Sequence, residues 1–118
     1  ERVGLIPEEY FLYFEDSDWG LRANRMGYHN YVSYRSRVHH HRESGIFNRT
    51  AEYYCRRNSY LFKQRNGFAK PWTKYIELLK LQKQLFKARL RRDQRMQEIL
   101  TAVLDDVSNE KWGLGRWR

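Results

Sequence analysis

The sequence predicts a helix-rich α/β fold, and three patterns support that prediction. Residues 10–14 are five consecutive apolar residues, mostly aromatic, a run too short for a buried helix and typical of a strand covered on both faces. Residues 29–38 alternate in part between apolar and polar side chains, which favours a second strand with one covered face. From residue 50 onward, apolar residues recur at helical intervals. We therefore expect two strands followed by amphipathic helices.

Three acidic residues, Glu15, Asp16 and Asp18, follow the first predicted strand. A short helix is expected to begin at Ser17 or Asp18 and to end at Met26. The acids then lie at a helix N-terminus, where the backbone dipole stabilises negative charge. Helix capping alone would explain them, but a carboxylate at a strand end is also a suitable general base.

The second half of the chain predicts helices with identifiable ends. One helix is expected to begin at Asn48 or Thr50 and to end at Asn66, before a glycine. Residues 72–107 then predict either two helices or one long bent helix. A segment with six basic residues and one acid, 83–95, interrupts their apolar pattern. That segment is expected to be solvated, as a hinge or as a surface-binding face.

Composition narrows the class of protein. The chain has 118 residues, which suits one small domain, and a formal net charge of +9, which favours anionic partners. Its single cysteine, Cys55, cannot form an internal disulfide, which excludes a secreted disulfide scaffold. The sequence contains no apolar run of about 18 residues. Because Glu1 leads almost directly into the apolar run, we expect the chain to be the C-terminal piece of a longer protein.

Several spaced motifs together carry a resemblance to a known family. They are Phe11-Leu12-Tyr13-Phe14-Glu15-Asp16-Ser17-Asp18-Trp19, Arg22, Gly27-Tyr28, Arg37-Val38 running into His39-His40-His41-Arg42-Glu43-Ser44-Gly45, and Tyr53-Tyr54 with Arg57-Asn58. In these motifs the chain resembles the acceptor half of an inverting family 2 glycosyltransferase of the rhamnosyltransferase-like kind. The resemblance covers roughly the first half of the chain, and the agreement of several elements makes it more specific than one motif would be.

The resemblance implies both an architecture and an activity. Residues 1–67 would be the acceptor-side part of a GT-A-like domain, and residues 68–118 a helical C-terminal extension. The full enzyme would transfer a sugar from a nucleotide-diphosphate donor to a hydroxyl of a glycan or lipid-linked acceptor, with inversion, in cell-surface polysaccharide synthesis. It would be cytoplasmic or peripheral to the inner face of the membrane. This piece alone would be inactive, because the donor-binding half is absent from it.

The resemblance also assigns roles around the acidic cluster. Asp16 would be the catalytic base that removes the proton of the acceptor hydroxyl. Glu15 would bind the acceptor or orient the loop, and Trp19 would bind the acceptor. Asp18 would be structural, as would Arg22, for which pairing with nearby acids is the ordinary explanation. The pair Arg57-Asn58 would likewise have a structural role, in packing and in holding a loop.

A divalent cation, Mg²⁺ or Mn²⁺, is implied as well, with one histidine among its ligands. Counting from Tyr34, at the family's usual proline position, selects His40, whereas counting back from Arg42-Glu43-Ser44 selects His41. The choice between these two ligands stays open. Exposed histidines that bind no metal are the plain alternative, because most metal sites need ligands from several elements.

Two other classes of protein fit parts of the sequence. A small basic nucleic-acid-binding module would use residues 83–95 to contact phosphates, but the three acids would repel a polyanion and no standard motif is present. Nucleic acid is therefore not expected as a partner. A helical module could instead form a homodimer through residues 72–105. A basic stripe along one helix face also suits an anionic membrane surface, although a plain solvated face explains it too: Lys80, Lys83, Lys87 and Arg91.

Overall fold

The computed structural model describes residues 2–39 and 49–116. These residues form a 3₁₀ turn, Glu8–Tyr10, and four α-helices. The helices are α1 (Glu15–Arg25), α2 (Arg49–Arg65), α3 (Thr73–Leu90) and α4 (Gln94–Ser108). Neither described range contains a strand. The prediction of an α/β chain, the C-terminal half of a GT-A-like domain, is therefore wrong for the described part.

The first predicted strand, residues 10–14, is a series of turns. Phe11 and Phe14 have φ angles of 61° and 74°, in the left-handed region, which is incompatible with an extended strand. Their rings pack separately on α2, with Phe11 5.2 Å from Tyr54 and Phe14 5.5 Å from Phe62 between ring centroids. The aromatic run thus reflects contacts with one helix and not the two faces of a sheet.

The second predicted strand, residues 29–38, pairs with no other described segment. Its apolar side chains, Tyr31, Val32, Tyr34 and Val38, are each at least 86% exposed. A period of two indicates burial only where a neighbouring strand covers one face, and no described residues supply that neighbour. The alternation in this segment was therefore misleading as a sign of a strand.

The predicted first helix is present but begins earlier than expected. Helix α1 starts at Glu15, so Ser17 and Asp18 lie inside its first turn and neither is the N-cap. The N-cap residue is Phe14, in a left-handed conformation and with no capping side chain. Gly27, at φ 85°, follows the last turn, as a glycine commonly does after a helix C-terminus.

Residues 72–107 form two helices, α3 and α4, and not one bent helix. A tight turn separates α3 from α4, and within it Arg92 has a φ of 55°. Asp93 caps α4, because its carboxylate accepts a hydrogen bond of 3.0 Å from the backbone N–H of Met96. The helix break thus lies within the basic segment that interrupts the apolar pattern.

The hydrophobic core lies between α2, α3 and α4. Helix α4 packs against both of the others and contributes four almost completely buried residues, Ile99, Leu100, Val103 and Val107. The rest of the core comes from α2 and α3: Tyr53, Tyr54, Tyr60, Leu81, Leu85 and Ala88. This core crosses the expected domain boundary at residue 67, and the division into two parts stays a prediction. None of the described helices has the length and apolar character needed to cross a bilayer.

Candidate functional site

The three acids of the Glu-Asp-Ser-Asp segment lie in different environments. Asp18 is 1% exposed, Asp16 is exposed to solvent, and Glu15 is half-buried. The Asp18 side chain lies on the side of α1 that faces the end of α2, where Asn66 is located. The segment therefore divides into one buried structural acid and two acids available to a ligand.

Asp18 is the centre of a buried hydrogen-bond network. Its Oδ1 accepts bonds from the Tyr10 hydroxyl at 3.0 Å and from Asn66 Nδ2 at 2.7 Å. Its Oδ2 accepts a bond from Arg22 Nε at 2.9 Å, and Arg65 Nε lies 3.9 Å from Oδ1. Both carboxylate oxygens are thus occupied, which explains how a buried charge is tolerated here.

The protonation of Tyr10 fits this arrangement. Burial, followed by the negative charge of Asp18, raises the pKa of the Tyr10 phenol well above its ordinary value. The phenol therefore stays protonated and donates to the carboxylate across the ordinary pH range. The 3₁₀ turn and α1 are joined in this way by a buried polar contact.

Arg22 links α1 to the start of the chain. Besides Asp18, its guanidinium donates to the carbonyl oxygens of Val3, at 2.6 Å, and Leu5, at 2.8 Å. Trp19 Nε1 donates to the carbonyl of Gly4 at 3.1 Å, while the indole remains 38% exposed. The Trp19 N–H is thus used internally, and part of the indole ring is accessible to a ligand.

Asn58 holds the segment that precedes the acids. This completely buried side chain projects from α2, and its Nδ2 donates to the carbonyl oxygens of Tyr10, Leu12 and Tyr13 at 2.8, 2.7 and 3.0 Å. Three carbonyls within four residues converge on one amide because the backbone turns through positive φ angles at Phe11 and Tyr13. An extended strand would direct successive carbonyls to opposite sides.

Arg57 fixes the orientation of the Asn58 side chain. It is 1% exposed, and its Nε donates to Asn58 Oδ1 at 3.0 Å, which orients the amide so that Nδ2 faces the turn. Its Nη2 donates to the carbonyl of Gly113 at 2.8 Å, and its guanidinium lies 4.8 Å from the centroid of the Tyr54 ring. Arg57 therefore ties the segment after α4 to the turn that leads into α1.

Asp16 is presented to solvent at the start of α1. Its Oδ1 accepts bonds from the backbone N–H of Ser17, at 2.6 Å, and from the Ser17 hydroxyl, at 3.2 Å. Trp19 lies three residues later, and positions three residues apart are neighbours on a helix surface. An exposed carboxylate and a partly exposed indole are thus adjacent.

Glu15 has one oxygen without a partner. Its Oε2 is buried, and no described residue forms a hydrogen bond with it. A buried acceptor without a donor is unfavourable by about 1–3 kcal/mol. The pKa of the nearby Cys55 thiol is raised, mainly by burial and also by the charge of Glu15. That thiol is therefore not activated as a nucleophile.

The predicted metal ligands His40 and His41 lie outside the described residues. The neighbouring His39 is exposed. Within residues 2–39 and 49–116, no three His, Cys, Asp or Glu side chains are grouped closely enough to hold a metal ion. The described residues alone therefore do not fit Mg²⁺ or Mn²⁺, and the metal ion stays a prediction that depends on the two histidines.

Sequence reasoning missed several residues of this site. Tyr10 was assigned to a strand and Asn66 to a helix end, yet both donate to the same carboxylate. Asn66 lies 48 positions after Asp18 in the sequence, which explains why no local pattern revealed their contact. Tyr53, which donates to Asp106 on α4, was likewise treated only as part of a motif. The one available sign of such a polar network in the sequence was an Asn or Arg at a helical position that faces the core. Arg57 and Asn58 gave that sign.

Comparison with known proteins leaves the site to be interpreted from its own geometry. No family model matches the chain, and neither a curated protein nor a solved structure matches it.

Proposed function

We propose that this chain is the acceptor-side part of an inverting glycosyltransferase in which Asp16 is the catalytic base. One observation carries the proposal: within four positions, three non-glycine residues with positive φ lead directly into Glu15 and Asp16, and a buried amide holds this segment. The φ angles are 61° at Phe11, 66° at Tyr13 and 74° at Phe14. The proposal concerns this site and does not depend on an α/β architecture.

Such a backbone needs an explanation because it is unfavourable by itself. A non-glycine residue in the left-handed region costs about 1–3 kcal/mol, and such residues concentrate at functional sites. Helix capping does not require this cost, since one Ser, Asp or Asn at the N-cap would suffice. Here the N-cap is Phe14 and no side chain caps the helix. The arrangement instead fixes where α1 begins, and so fixes the direction in which Asp16 points.

The chemistry follows from the positions of the three ligand-facing residues. Asp16 accepts the proton of the acceptor hydroxyl while that oxygen forms a bond to the anomeric carbon of the donor sugar. The bond to the nucleotide diphosphate breaks on the opposite face, which gives inversion. The half-buried Glu15 accepts a second hydrogen bond from the acceptor, and the exposed part of Trp19 stacks on a sugar ring. No step is assigned to a metal ion.

The test is sugar transfer by the longest natural chain that carries this sequence, across panels of nucleotide sugars and of glycan and lipid-linked acceptors. Asp16→Asn should lower the transfer rate by about 10²–10⁴-fold, the range for loss of a general base, with donor affinity unchanged. Glu8→Gln removes one exposed negative charge from the nearby turn and serves as the matched control. Full transfer by Asp16→Asn would show that Asp16 is not the base.

A further inference from the structure

Helix α3 carries apolar residues on two opposite faces. One face, with Leu81, Leu85 and Ala88, is buried in the core against α4. The other face consists of six large apolar side chains that are each between 43% and 70% exposed, here called the outer stripe: Trp72, Tyr75, Ile76, Leu79, Phe86 and Leu90.

The spacing of the outer stripe places it on one side of the helix. Its residues are separated mainly by three, four and seven positions, so they line up along α3 and its N-cap. Helix α3 has 18 residues and is therefore about 27 Å long. Contiguous exposed apolar patches of this kind mark sites where a protein meets a membrane or another protein.

The charges that border the outer stripe are almost all positive. Helix α3 contains five basic residues and one acid, Glu77. Lys83 is exposed within the stripe, four residues after Leu79 and three before Phe86, and the exposed Lys87 and Arg91 follow it along one flank. Glu77 faces away from it, and its Oε1 accepts hydrogen bonds from Lys63 at 2.8 Å and from Lys80 at 3.3 Å. The surface around the outer stripe therefore offers cations and no available carboxylate of α3.

We propose that α3 docks in the plane of an anionic lipid bilayer, with the outer stripe at the boundary between head groups and acyl chains. A helix with Trp, Phe and Leu on one face and Lys or Arg beside them is suited to that position. Lys83, Lys87 and Arg91 then contact lipid phosphates, to which the surface potential of an anionic leaflet attracts them. This docking does not depend on sugar transfer.

Charge complementarity favours a bilayer over a second copy of this chain. Two outer stripes facing each other would bring the Lys83 side chains of both copies into one apolar interface, and the one acid of α3, Glu77, is already paired. Like charges brought close across an interface oppose association. An anionic bilayer satisfies both parts of the surface, because lipid phosphates neutralise the cations and acyl chains cover the stripe.

The proposal is tested by flotation of the 118-residue chain with vesicles. The chain should float with phosphatidylcholine vesicles that contain phosphatidylglycerol and not with phosphatidylcholine alone, and added salt should weaken flotation. The double variant Leu79→Ser, Phe86→Ser should lower the partition coefficient by at least about tenfold. Because both side chains are exposed, circular dichroism should show unchanged helix content. Trp72 fluorescence should shift to the blue on binding, and Trp72→Phe should remove that shift.

Matched variants distinguish docking through α3 from nonspecific hydrophobic adsorption and from an effect of net charge alone. Tyr31→Ser, Val32→Ser removes two exposed apolar residues elsewhere and should leave flotation unchanged. Lys83→Glu, Lys87→Glu should lower the partition coefficient by about tenfold or more. Arg35→Glu, Arg37→Glu makes the same change in net charge and should lower it much less.

Three results would overturn the proposal. One is failure to float with anionic vesicles. Another is an equal loss in a stripe or lysine variant and in its matched control. The third is a dimer, detected by sedimentation equilibrium, that dissociates in the Leu79→Ser, Phe86→Ser variant while the unmodified chain fails to float. That result would assign the stripe to contact with a second copy of the chain.

Discussion

Replacing Asn58 by alanine should destabilise the protein far more than the loss of one polar side chain usually does. The substitution removes the donor that serves the carbonyls of Tyr10, Leu12 and Tyr13. It also removes Oδ1, which accepts from the buried Arg57. The turn would then retain its unfavourable φ angles without the amide that compensates for them.

The magnitude follows from the burial of the three bonds. The bond to Tyr10 is buried, so its unsatisfied carbonyl should cost about 1–3 kcal/mol, whereas the two part-buried bonds should cost about 0.5–1.5 kcal/mol each. The expected loss is about 2–6 kcal/mol, a large fraction of the 5–15 kcal/mol typical of a domain. At about 4 °C per kcal/mol, the Tm should fall by about 8–24 °C.

The assay is thermal and urea unfolding followed by circular dichroism. Asn24→Ala is the matched control, because it makes the same substitution at an exposed position of α1 and should change the free energy of unfolding by no more than about 0.5 kcal/mol. If Asn58→Ala were no more destabilising than Asn24→Ala, the amide would not hold the turn, and the argument from a strained, supported backbone would fail.

Two further predictions concern Tyr53. Gly115→Ala would place its Cβ against the Tyr53 hydroxyl and ring, so the free energy of unfolding should fall by about 1–3 kcal/mol. Gly20→Ala is the control: it lies within α1 beside a flexible side chain and should raise the free energy of unfolding by up to about 1 kcal/mol. Equal effects of the two substitutions would refute the close approach of Gly115 to Tyr53. Burial, aided by a hydrogen bond to Asp106, raises the pKa of Tyr53 to about 12. Above about pH 10 the Tyr53 phenol is deprotonated in the unfolded chain and still protonated in the folded one. Its contribution to the free energy of unfolding should therefore fall by up to about 1.4 kcal/mol per pH unit between pH 10 and 12, in addition to the fall caused by Tyr10. Tyr53→Phe should reduce that slope, and an unchanged slope would contradict the assignment.

Helical periodicity was sufficient to predict most of the helices because it reports burial directly. The helix expected from Asn48 or Thr50 to Asn66 corresponds to α2, Arg49–Arg65. Residues 72–107 contain α3 and α4, and only the helix break needed the structure to decide it. These helices supply the core, so their apolar positions had to follow the helical repeat.

The strands could not be judged in the same way. A short apolar run looks the same whether a sheet covers it or separate side chains pack on a helix. Sequence rules also assign left-handed backbone to glycine or asparagine, and here it occurs at Phe11, Tyr13 and Phe14. Nothing local marks those residues, since the contacts that support them come from Arg57 and Asn58 more than 40 residues later.

The candidate site is positioned by polar contacts more than by apolar burial, and that difference bears on its function. Within α1 the only buried residues are Asp18 and Ala23. One apolar methyl group cannot fix the angle of an 11-residue helix, whereas hydrogen bonds are directional. The bonds to Asp18 constrain α1 from one side, and the amide of Asn58 constrains the turn before it. A base must lie within hydrogen-bond reach of the proton it removes, so such directional support is what placing Asp16 requires.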